Sequence, residues 1–94
     1  MCGDTISAEE LAELTEILAD VLDGIQSPEE FESWLKSQHC VKSVRMGDYI
    51  IKTEPPQKEL SVIFKMDDGS TVTKVIDIIL RRDQTLGLGE VHEP

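Results

Sequence analysis

Ninety-four residues, 39% of them apolar and 30% charged, suffice for one globular domain with a modest core but not for two. A net charge of −10 argues against nucleic acid or an anionic membrane as a direct partner. No apolar run approaches the roughly 18 residues of a membrane-spanning helix, and no catalytic or cofactor motif is present.

The N-terminal MCGDTISAEE has neither a basic segment nor an apolar core, so it is not expected to act as a signal peptide. Residues 1–6 read as a mobile lead. Cys2 and Cys40 are too few for a disulfide framework. They are expected as two reduced thiols, which places the protein in the cytoplasm.

Ser7 is a good N-cap, with Glu10 three residues on to close a capping box and with Ile6 and Leu11 spaced as a hydrophobic staple. The helix is predicted over 8–23. Its apolar face is Leu11, Leu14, Leu18, Val21 and Leu22, with Ile17 beside them, and Gly24 is placed to end it. The opposite face carries Glu9, Glu13, Glu16, Asp20 and Asp23 at spacings of four and three, where like charges repel. Residues 1–35 hold ten acids and no base, while 36–94 hold nine of each, so all the net charge lies in the N-terminal third.

Ser27-Pro28-Glu29-Glu30 starts a second helix: an N-cap, a proline in the first turn and a glutamate at the third position. Phe31, Trp34 and Leu35 share one face, and the helix is expected to end near Gln38. Strands are predicted over 41–46 and 49–53, joined by a Gly47-Asp48 turn that pairs Met46 with Tyr49. Glu54-Pro55-Pro56-Gln57 is a loop, because two prolines cannot serve a central ladder.

Residues 58–82 then form a long hairpin. Leu60, Val62, Phe64 and Met66 alternate with Ser61, Ile63 and Lys65, and Asp67-Asp68-Gly69 supplies a three-residue loop. That loop length sets Phe64 opposite Val72 and Leu60 opposite Ile76; a two-residue loop would oppose Leu60 to Asp77.

These elements make an α+β fold over 7–82: two N-terminal helices on one face of a four-stranded antiparallel meander, in the order α-α-β-β-β-β. Residues 83–94 read as an extended or disordered tail. The sheet's share of the core is expected to be Val44, Met46, Tyr49, Ile51, Leu60, Val62, Phe64, Val72, Ile76 and Ile78, joined by the first helix's apolar stripe and by Trp34.

Chemistry has little to stand on. His39-Cys40 is a dense pair of soft ligands, but only Cys2 and His92 could complete a zinc site, and no CxxC or HxxxH spacing is present. As a nucleophile and base the pair fails, since neighbours on an extended strand point to opposite faces. No catalytic residue, metal or cofactor is therefore expected, and no enzymatic activity.

Two surfaces remain. The acidic face of the first helix complements a basic protein. On the outer face of the sheet, Ile50, Ile63, Val75 and Ile79 come out adjacent or diagonal, a possible dimer face. The leading expectation is a small acidic, non-catalytic binding module that engages a basic partner, as an inhibitor, antitoxin-like neutraliser or adaptor does. The alternatives are a homodimeric assembly subunit joined through the outer sheet face, and a nucleic-acid mimic that occupies a site built for phosphates.

Overall fold

The computed structural model describes residues 2–50 and 54–94, the side chain of Ile50 excepted. Helix α1 spans Ala8–Asp23, and both halves of its capping box form. Glu10 N–H donates to Ser7 Oγ at 3.1 Å, and Ser7 N–H donates to Glu10 Oε1 at 3.3 Å. Ile6 and Leu11 are both buried, as a staple requires. Leu11, Leu14, Leu18 and Leu22 form the buried stripe, with Ile17 and Val21 packed at its margin. Gly24 caps the helix at φ −94°, so the end does not use the left-handed conformation.

Helix α2 spans Pro28–Lys36, with the Ser27 side chain accepting from Glu30 N–H at 3.2 Å. Phe31 and Leu35 are fully buried, and half-buried Trp34 stacks on Phe31 with ring centroids 6.0 Å apart.

The sheet is a four-stranded antiparallel meander of β1 (Val41–Ile50), β2 (Gln57–Lys65), β3 (Thr71–Leu80) and β4 (Leu86–His92), in that spatial order. The helices cover one face, α1 against β4 and α2 against β1. The β2–β3 hairpin has the expected register: Phe64 pairs with Val72, Val62 with Lys74 and Leu60 with Ile76. Its turn holds Gly69 at φ +87°, a conformation that costs an L side chain dearly.

Outside this hairpin the strands differ from expectation in two places. Gly47-Asp48 makes no turn. Strand β1 runs through it, with Met46 opposite Leu60 and Tyr49 opposite Lys58, so three steps on β1 match two on β2. The extra residue is a β-bulge, and a Cβ at Gly47 would lie 3.3 Å from the Glu59 carbonyl oxygen; the same ladder shifts register once more, between Val41 and Ser43. Running straight lets one ten-residue strand pair along β2, where a turn would have split it into two short ones. Tyr49 consequently lies outside the core, 54% exposed, with the Lys58 ammonium 3.9 Å from its ring centroid. Of the predicted return strand over 49–53, Tyr49 and Ile50 belong instead to β1, and the rest, including Ile51 as an expected core residue, lies outside the described residues.

The second difference is the fourth strand. Leu86–His92 lies in the segment expected to be a tail, and it pairs with β3. Leu86 is buried on the helix-covered face, and Leu88 and Val91 pack beside the core. The step from Leu88 to Val91 contains an extra residue opposite Asp77, a further bulge.

The N-terminal lead is fastened rather than mobile. Cys2 is bonded to Cys40 in a disulfide that spans 38 residues of sequence. Ile6 is 1% exposed, and its backbone bonds to Lys65 carbonyl and Asp67 N–H in a short parallel bridge beside Met66. Cys40, also buried, accepts from Lys65 N–H at 2.8 Å. The lead and the entry to β1 thus converge on the end of β2.

The turns of both distal hairpins are braced alike. Asp68 accepts from the backbone N–H and hydroxyl of Ser70 at 2.9 and 2.5 Å, and Asp83 from those of Thr85 at 3.0 and 2.6 Å. These hydrogen bonds, side chain first, hold both carboxyls below the usual aspartate value.

Gly69→Ala is expected to destabilise by about 1 kcal/mol or more, read as a lowered denaturation midpoint with unchanged slope. Cys2→Ser, or reduction of the wild type, should cost about 2–4 kcal/mol in the same assay, since the bond closes a long loop. The lowered pKa values of Asp68 and Asp83 give a stabilisation present above their unfolded-state values and lost as pH falls through the folded ones. Chemical denaturation between about pH 5 and pH 2 should therefore show a steeper loss for wild type than for Asp68→Ala.

Candidate functional site

All five carboxylates of the acidic stripe, Glu9, Glu13, Glu16, Asp20 and Asp23, are exposed on the side of α1 turned away from its buried leucines. The helix has acids in its first turn and no base in its last. Among the described residues none of the five forms an ion pair; the pairs that form join Lys36 to Glu32, Lys74 to Glu93 and Arg82 to Glu54, with His39 near Asp4 and His92 near Asp77. The stripe is thus an uncompensated negative surface about four turns long.

The outer sheet face is less open than its composition implies. Val75 is 5% exposed, and Ile63 and Ile79 are half-buried. The side chain of Ile50 lies outside the described residues. Among the described residues, the exposed large hydrophobic is Tyr49, which is not one of the four.

The soft-ligand pair at His39-Cys40 is taken apart by the fold. Cys40 is buried in its disulfide, while the exposed His39 has Nδ1 3.7 Å from Asp4 Oδ1. The expectation of two reduced thiols is overturned by that bond. Sequence reasoning treated Cys2 as part of a loose end, and a loose end would not have brought it to Cys40.

A different constellation forms on the outer sheet face, one that sequence reasoning missed. Glu59 of β2 and Asp77 of β3 are direct cross-strand partners, and His92 of β4 lies opposite Val75, diagonal to Asp77. One ligating atom from each of the three lies within 4.8 Å of the other two. His92 Nε2 is 3.2 Å from Asp77 Oδ2, and Nδ1 is 3.0 Å from its neighbour's backbone carbonyl, that of Glu93. That carbonyl, together with the Asp77 carboxylate, raises the imidazole above its usual pKa of 6.5, with partial desolvation opposing.

Asp77 is 8% exposed, and its Oδ1 is buried with no hydrogen-bond partner among the described residues. Each carboxylate sits opposite a bulge that contains a glycine: Glu59 faces Gly47, and Asp77 faces Gly89. A Cβ on Gly89 would approach the Asp77 carbonyl oxygen at 3.1 Å and Gln57 Oε1 at 3.3 Å. The glycines let the neighbouring chain approach closely at both ends of the acid row.

The sequence carried one faint signal for this cluster. Setting Leu60 opposite Ile76 makes Glu59 and Asp77 partners, and like charges so opposed are unfavourable alone. His92 could not be added, because its strand was not recognised. None of the helices in the described residues is long and apolar enough to cross a membrane. Comparisons with protein-family models, with curated proteins and with solved structures return no match.

Proposed function

We propose that this is a small acidic, non-catalytic binding module that engages a basic protein surface through the exposed face of α1, in the manner of an inhibitor, antitoxin-like neutraliser or adaptor. The observation that carries this reading is the stripe itself. Five carboxylates at three- and four-residue spacings stand in solvent without an ion-pair partner among the described residues. Such spacing weakens an isolated helix by about 0.2–0.5 kcal/mol per like-charged pair, a cost that a basic partner removes on binding.

A homodimer joined through the outer sheet face has less support, because Val75 is already buried within the chain and Ile63 and Ile79 are half-covered. Nucleic-acid mimicry shares the same carboxylates and is a special case of the first reading, with a phosphate-binding protein as the partner. As for location, the cytoplasmic placement rested on free thiols. The Cys2–Cys40 bond favours oxidising surroundings instead, where disulfides persist.

The double change Glu13→Lys, Asp20→Lys tests the proposal. Each lysine gains glutamate or aspartate neighbours at three and four residues, so stability in a denaturant titration should be unchanged or slightly raised. Each substitution adds two charges, taking the net charge from −10 to −6. Immobilised wild type and variant are exposed to the same lysate and eluted along a salt gradient. A partner bound by wild type and released at moderate salt should be lost or greatly weakened on the variant. Equal capture by the two at low salt would sink the proposal.

A further inference from the structure

We propose that Glu59, Asp77 and His92 form a binding site for a zinc-class divalent cation, which braces β2, β3 and β4 on the face of the sheet opposite the helices. Two separate features point there. One is the three-residue cluster, with its ligating atoms within 4.8 Å of one another. The other is Asp77, 8% exposed as a residue and 11% in its side chain, whose Oδ1 lacks a hydrogen-bond partner among the described residues. A buried carboxylate oxygen left unpaired is costly, and coordination to a cation is one of the few ways to satisfy it.

Charge supports the same conclusion. Glu59 and Asp77 are directly opposed like charges. A protonated His92 would leave the trio at −1, whereas a dication with neutral imidazole makes it neutral. The His92 contacts also suit a ligand. Nδ1–H can donate to the Glu93 carbonyl, which fixes the tautomer and leaves the Nε2 lone pair facing the Asp77 carboxylate. A lone pair facing a carboxylate is repulsive unless a proton or a metal lies between them.

The donor set selects the metal. Imidazole favours zinc and its transition-metal neighbours over magnesium and calcium, and three protein donors fall short of the six to eight that calcium takes. The separation of 3.2 Å between Nε2 and Oδ2 suits two ligands bound at about 2.0–2.2 Å on one tetrahedral ion, and Oδ1 of the same carboxylate would be satisfied as its second, longer contact to that ion. Glu59 closes the site by a small approach across the ladder. With three protein ligands and His92 partly exposed, the fourth position faces solvent.

The test is a calorimetric titration of the full, disulfide-intact chain, stripped of metal, with zinc chloride. One zinc per chain is expected, together with a rise in melting temperature on loading. Glu59→Gln and His92→Gln should each weaken binding by at least about tenfold, while Glu13→Lys, Asp20→Lys should bind as wild type does. Glu59 is half-buried and can lose its charge without refitting the core, so it stands as the probe should the His92 variant not fold. Cobalt as a spectroscopic substitute should give a visible band that His92→Gln abolishes. No stoichiometric zinc binding to wild type would overturn the proposal. So would binding that survives Glu59→Gln and His92→Gln but is lost when the α1 carboxylates are changed.

Discussion

The register of the β2–β3 hairpin governs both faces of this molecule. Gly69, held at positive φ, allows the three-residue loop, and the loop length sets which residues of the two strands oppose one another. With Leu60 beside Ile76 and Phe64 beside Val72, the apolar residues meet α1 and α2. The same alternation obliges Glu59 and Asp77 to meet on the other side. A slip of one residue would oppose Leu60 to Asp77 and turn the apolar residues of one strand away from the helices. The hydrophobic layer thus holds two like charges together that would separate if left to themselves, and the cation site follows from that compulsion.

Much of this could be read directly. Ser7 with Glu10, and Ser27 with Pro28 and Glu30, are local signals whose partners lie within four residues, and both helices start where those residues place them. The central hairpin was equally legible, because alternation and loop length agree there. The misreadings at the edge strands have one cause. A glycine beside an acidic residue can mark a turn or a bulge, and only the long-range pairing decides between them. At Gly47-Asp48 a bulge was taken for a turn. At Gly89-Glu90 the inserted residue broke the alternation of Leu86, Leu88 and Val91, so a strand passed for a tail. The disulfide was hidden for a related reason: Cys2 reaches Cys40 only because Ile6 is held beside Met66, a contact made across sixty residues of chain.

The site was legible in part. The acidic stripe is a one-dimensional pattern on one helix and needs no tertiary information. The trio of Glu59, Asp77 and His92 comes from three strands, one of them unrecognised, and no spacing in the sequence announces it. Charge is accordingly handled in two ways in one small domain. On α1 it is dispersed into solvent along a surface open to a partner. On the sheet it is concentrated, half-buried and drawn toward a single point.

The two glycine-containing bulges have a further consequence, at the rims of the sheet. Among the described residues, the four-stranded meander ends in two unpaired edges, β1 and β4, each a template onto which another extended chain could add. Both edges are interrupted at a glycine near mid-strand, Gly47 on one and Gly89 on the other. An incoming strand in regular register would lose its hydrogen-bond partners there within a few residues. The irregularities that frame the carboxylates thereby also guard a small sheet against growing into a fibre.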